Sequence, residues 1–118
     1  MAYIREVIIE KALVKETERR GGIAYKLTVP GRANVPDRLL LMPGGRAIFV
    51  ECKAPGQKPR PGQQRELARL AALGFEVHTL DSTDNLHIFE ASIETIELYI
   101  PEYLVDSGYR NRKLKNEV

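Results

Sequence analysis

An α/β fold is predicted for this 118-residue chain by three observations. Apolar spacing alternates between helical and strand periods, Gly/Pro clusters punctuate each change, and a Pro-Gly-Gly turn joins two consecutive strand-like runs. The predicted order is α-β-β-β-α-β with a C-terminal helical extension. One domain fits the length, with a core over 1–84 and the extension over 85–118.

The opening helix is placed over 3–19, where Ile4, Val7, Ile8 and Val14 form an apolar flank at helical spacing. Arg19-Arg20 and then Gly21-Gly22 stop it. Residues 23–28 are strand-like, 29–36 form a loop with Pro30 and Pro36, and 38–42 form a second strand. Pro43-Gly44-Gly45 turns the chain into a third strand over 46–53, so these two runs make a hairpin. Residues 54–61 are a proline-rich basic loop. A helix over 62–73 presents Leu67, Leu70, Ala71 and Leu73 and ends at Gly74, and 75–80 is the fourth strand. Asp81 or Ser82 can cap a further helical region. Beyond Asn85 the pattern weakens; positions 93, 96 and 100 share one helical face until Pro101, and a loosely ordered basic tail is expected.

Apolar residues make up 43% and charged residues 29%, the balance of a globular domain rather than a disordered chain. The single cysteine excludes an intrachain disulfide or a multi-cysteine zinc site. No apolar run approaches the roughly 20 residues of a spanning helix, and the charged N-terminus is unlike a secretory signal; the cytoplasm is the expected compartment. The net charge of +2 conceals a split: residues 1–80 hold 14 basic and 8 acidic residues, 81–109 hold 7 acids and no Lys or Arg, and 110–118 hold 4 basic residues and 1 acid. Such a basic body suits a polyanion, although a solvated surface has the same composition.

The third strand carries the chemistry. Its side chains alternate, Ile48, Val50 and Cys52 to one face and Phe49, Glu51 and Lys53 to the other. A Glu and a Lys on one face of an apolar strand are costly to bury unless paired, and the apolar flanks argue against a solvated edge strand. If Met42 pairs with Arg46 across a three-residue loop with Gly45 left-handed, residue 37 lies opposite residue 51 on the same face. A two-residue loop would send Asp37 to the other face. Two converging carboxylates make a site for a hard divalent cation, which the backbone carbonyl of Cys52 could help complete. Lys53 then stands beside the ion, placed to orient water or offset phosphate charge. The Cys52 side chain belongs to the core, and His78 and His87 are expected to be structural or exposed. Lys58, Arg60 and Arg65, in and after the proline-rich loop, could clamp a nucleic-acid backbone. No aromatic-rich basic strip suggests base stacking.

Pro36-Asp37 followed by Glu51-Cys52-Lys53 resembles the PD-(D/E)xK nuclease signature. The stretch PGRANVPDRLLLMPGGRAIFVECKAPGQKPRPGQQ, from Pro30 to Gln64, is similar to the VRR-NUC branch of that superfamily, in its small stand-alone phage and bacterial form. The resemblance spans roughly residues 4–81 and takes in the opening helix with Glu10, the Gly21-Gly22 stop, the Ala24-Tyr25-Lys26 strand and the Gln63 helix. It implies a restriction-endonuclease-like core with a mixed central sheet flanked by helices. It implies Asp37 and Glu51 as metal ligands, Lys53 as the catalytic lysine, and Gln63 as the family glutamine near the site. An acid of the first helix would contact the metal, often through water; Glu10 fits best, with Glu6 one turn earlier as the fallback. Lys26 matches a family lysine, and with Arg32, Lys58, Arg60 and Arg65 it is an expected DNA contact. Asn34 departs from the family's Gly, at a place where Asn is the residue that best tolerates positive φ.

The implied activity is a Mg2+- or Mn2+-dependent endonuclease acting on structured DNA, four-way (Holliday) junctions above all. Small relatives act as homodimers, and Ile93, Ile96, Leu98, Tyr99 and Ile100 are the expected dimer contacts. Two alternatives stay open: a nuclease of this fold acting on flap or duplex DNA, in restriction or packaging, and a non-catalytic DNA-binding module.

Overall fold

The computed structural model describes residues 5–90. Its elements are α1 (Glu6–Arg19), β1 (Ile23–Lys26), β2 (Arg38–Met42), β3 (Arg46–Cys52), α2 (Pro61–Ala72), β4 (Glu76–Leu80) and α3 (Leu86–Glu90). The α/β order is the predicted one. The first strand is two residues shorter than expected and the third ends at Cys52 rather than Lys53. No helix among the described residues is long and apolar enough to cross a membrane.

The four strands lie in the order β1-β2-β3-β4. The first three pair antiparallel, and β4 adds parallel to β3 through the α2 crossover, so the sheet is mixed. The β2–β3 hairpin has the expected register, from Met42↔Arg46 to Arg38↔Val50, with Gly45 at φ 84°. Each face of the sheet buries its own helices. Leu40, Ile48, Val50, Cys52 and Leu80 pack with Ile9 and Leu13 of α1 and Ile88 and Phe89 of α3. On the opposite face Phe49 and Val77 meet Leu67 and Ala71 of α2.

The apolar stripe of α1 differs from the expected flank. Ile9, Leu13 and Thr17, spaced by four, are the buried positions, whereas Val7 and Ile8 are half exposed. Thr17 can be buried because its Oγ1 donates to the Leu13 carbonyl at 2.8 Å. In α2 the expected Leu73 is 64% exposed, since it lies past the last helical turn and faces away from the sheet's α2 cluster. The Gly21-Gly22 stop is a Schellman arrangement. Gly21 takes φ 84°, and the Gly22 N–H donates to the Thr17 carbonyl at 2.9 Å. A Cβ on Gly22 would stand 2.9 Å from the Leu41 carbonyl oxygen, so both glycines are needed, one for its dihedral and one for close approach to β2.

Residues 85–90, expected at the start of an extension, pack into the core. Arg46 ties them there: its guanidinium bonds both oxygens of Glu76 at 2.8 Å and the carbonyls of Ile88 and Phe89 at 2.7 Å. Burial alone would raise the Glu76 carboxyl, but Arg46 and His78 outweigh it and hold it down at about 2. The expected dimer segment and basic tail lie outside the described residues.

Candidate active site

The site forms at the end of the sheet where β2 begins and β3 ends. Just beyond the Arg38↔Val50 pair, Asp37 leaves the ladder and its side chain takes over: Oδ2 accepts the Cys52 N–H at 2.8 Å. Its own carbonyl accepts the Leu27 N–H at 3.0 Å. Asp37 is thereby held from β3 and from the chain following β1. Glu51 lies on the interior strand and is 2% exposed. Its Oε2 accepts from Gln63 Nε2 at 2.8 Å and pairs with Lys53 Nζ at 3.2 Å. The Gln63 amide is engaged at both ends, because its Oε1 accepts the Arg60 N–H at the start of α2. That second bond fixes which end of the amide faces Glu51.

Asp37 and Glu51 are joined by Glu6, the first residue of α1. One carboxylate oxygen from each of the three lies within 4.8 Å of the others. Three such acids repel one another. Burial, with Asp37 and Glu6 nearby, pushes the Glu51 carboxyl up to about 7 despite the opposing pull of Lys53. A buried carboxylate that resists ionisation next to two further acids lacks positive charge. The hard oxygen donors and graded exposure, from buried Glu51 to exposed Glu6, fit a divalent cation that keeps part of its water.

Glu10, the favoured helix acid, is not in this cluster. Its Oε2 accepts from Lys26 Nζ at 2.8 Å and Arg38 Nε at 2.7 Å. Burial would raise its carboxyl, but the two cations prevail and lower it. The cause is strand register: Lys26 pairs with Arg38 across β1 and β2, both reach toward α1, and an acid there is required. Lys26 is consequently engaged with α1. The helix acid brought to the cluster is the fallback, Glu6. For Cys52, the backbone N–H contacts Asp37, while its side chain lies in the α1-side core. Burial, together with the surrounding acids, pushes its thiol up to about 12, which leaves it inert as a nucleophile.

The loop that delivers Asp37 is locked against α2. Asn34 adopts φ 70°, as its place in the loop predicted, and its side chain lies directly over Gly62, where a Cβ would stand 2.7 Å from Asn34 Nδ2. Gly62 precedes Gln63, and Asn34 lies three residues before Asp37. One close contact therefore sets the spacing of both residues around Glu51. Arg32 belongs to the same loop; it forks onto Glu66 of α2 with bonds of 3.1 and 2.7 Å. Lys58, Arg60 and Arg65 are exposed on and after the proline-rich loop. Sequence reasoning missed Glu66 and Arg38; the signal for Arg38 was its register opposite Lys26.

No protein-family model matches the chain. Over 91 residues it is 59% identical to "Putative nuclease p44" of Acyrthosiphon pisum secondary endosymbiont phage 1, covering 77% of this chain and 98% of that protein. A solved structure described as a VRR_NUC domain aligns with a TM-score of 0.69 at 32% identity, covering 74% of this chain and 97% of that one. With near-complete coverage of a phage nuclease relative, the same mixed sheet and the acid–lysine strand in place, the chain belongs to the VRR-NUC family of nucleases.

Proposed function

We propose that the protein is a divalent-metal-dependent DNA endonuclease, with Mg2+ or Mn2+ as cofactor and branched DNA, four-way junctions first, as substrate. The observation that carries this is the convergence of the Glu6, Asp37 and Glu51 carboxylates within 4.8 Å, with Lys53 bound to the most buried of them. Asp37 and Glu51 would hold the cation, with Glu6 at the rim and the Cys52 carbonyl as a further ligand. The bound ion supplies Lewis acidity at the phosphate and makes nearby water more acidic.

The chain's own residues do the rest. Gln63 and Lys53 hold Glu51 in one orientation, and the Cys52 N–H holds Asp37. The Lys53 ammonium, kept at the cluster by Glu51, donates to the attacking water or to a non-bridging phosphate oxygen. Attack by water forms one P–O bond and breaks the P–O bond to the leaving strand; the water's proton passes to solvent and the leaving oxygen takes one up from solvent. Lys58, Arg60 and Arg65 bind the DNA backbone as cations. Family membership supports the preference for branched DNA. A homodimer is the partner state proposed, because one site cuts one strand and paired cuts need two sites about a two-fold axis. The exposed Ile23, Tyr25 and Leu41 give an apolar sheet surface for such contacts.

A gel assay on four-way junction, flap and linear duplex DNA, with Mg2+ or Mn2+, tests this. Wild-type protein should cut the junction in symmetric pairs and only with metal, and Asp37→Ala should lower the rate by at least about 100-fold. Metal-independent cutting, or an Asp37→Ala protein as active as wild type, would contradict the assignment; single nicks would contradict the dimer.

A further inference from the structure

A concavity of about 390 Å³ lies between the 31–34 loop and α2 and is lined by none of the clustered acids. Its charged wall consists of Arg32, Arg65, Arg69 and Glu66. Glu66 does not make it acidic, because its carboxylate is turned onto cations: Arg32 at 2.7 and 3.1 Å and Arg69 at 3.8 Å. Arg65 has no hydrogen bond or ion pair among the described residues. The lining thus carries an excess of positive charge, with guanidinium groups whose flat, forked donors match phosphate oxygens.

The backbone is bare at one point of the lining: nothing lies within 4 Å of where a Cβ on Gly31 would stand, whereas Gly62, which also lines the pocket, is covered by the Asn34 side chain. Gly62 is in the first turn of the 12-residue α2, where amide N–H groups have no partner inside the helix and the helix dipole favours an anion. The pocket is also tied to the cleavage site. Gly62 faces it, and the next residue, Gln63, bonds Glu51.

Resting on the nuclease assignment above, we propose that this pocket seats one non-scissile backbone phosphate of the bound DNA, gripped by Arg65 and Arg69, with Glu66 acting as the positioning residue that holds Arg32 in the wall. It is a single-phosphate site and not a diffuse basic surface. A strand anchored there would be fixed in register relative to the bond that is cut.

The distinction is measurable by counterion release. Each phosphate neutralised contributes about 0.9 to the slope of log affinity against log salt on duplex DNA. Arg65→Gln, Arg69→Gln and the double variant keep good helix formers at exposed positions, so folding is preserved. Binding of a fluorescent four-way junction is measured from 50 to 200 mM salt with Ca2+ in place of Mg2+, next to Asp37→Asn. The double variant should bind roughly tenfold more weakly and lose about one unit of slope, with no more lost by the pair than by one shared phosphate. An unchanged slope, or a loss of about two units from two independent contacts, would overturn the pocket. Failure of the nuclease assignment would look different: wild-type protein would not cut in Mg2+ or Mn2+, whatever the arginine variants do to binding.

Discussion

Glu51 is the residue on which opposing influences are most concentrated. Its position on an interior strand removes it from water, Asp37 and Glu6 oppose its ionisation, and Lys53 favours it; the balance leaves its carboxyl raised to about 7. The consequence for stability has a definite sign. A group whose folded pKa exceeds its unfolded value stabilises the protein fully below the unfolded value, near 4.5, and that contribution is lost as pH rises through about 7. In the absence of metal, the protein should therefore lose up to about 3 kcal/mol between pH 5 and pH 8 from this group. Glu51→Gln should flatten that part of the profile, and thermal melts in chelator at both pH values measure it. A variant with the wild-type slope would place the proton elsewhere. This pair of acids was legible in the sequence because strand alternation and the length of one turn determine which face Asp37 meets. The third acid was not. Glu6 and Glu10 share a helix face, and what separates them is the Lys26–Arg38 pair, a cross-strand juxtaposition visible only once β1 has a register.

Among the elements, the 31–37 loop and α2 depend on each other most directly. Asn34 fills the space above Gly62, so a methyl group at 62 has no room unless Asn34 gives way. Gly62→Ala should cost about 1 kcal/mol despite alanine's higher helix propensity. In an Asn34→Gly background the same change should be neutral or stabilising, a coupling of about 1 kcal/mol in a double-mutant cycle followed by urea denaturation. Equal effects in both backgrounds would show that the contact does not set the loop. The remaining elements show where sequence patterns stop. The order, the hairpin and the faces of β3 followed from periods and turn chemistry. The buried stripe of α1 did not, because Val7 and Ile8 are as apolar as Ile9 and Leu13, and only contact with β2 and β3 selects among them. The docking of α3 was hidden for a related reason: Arg46 and Glu76 are 30 residues apart, and an ion pair at that distance leaves no local mark.

At the scale of the whole molecule, the sheet separates two tasks. The α1–α3 face is the larger apolar core, while the end of the sheet gathers acids from α1, β3 and the approach to β2 with a lysine, and α2 carries a cluster of arginines. The excess of basic over acidic residues in 1–80 is thus spent partly on holding the fold, through Arg38, Arg46 and Arg32, and partly on an exposed surface suited to a polyanion. The acids at the sheet's end are what such a surface alone does not need. Their purpose is tested most directly by titrating the protein with Mn2+ and following the free ion by electron paramagnetic resonance. Wild-type and Glu10→Gln proteins should each take up the ion at the cluster, Glu6→Gln should bind it several-fold more weakly, and Asp37→Asn should not bind it measurably. Undiminished uptake by Asp37→Asn, or loss of uptake in Glu10→Gln alone, would contradict a metal site built from Glu6, Asp37 and Glu51.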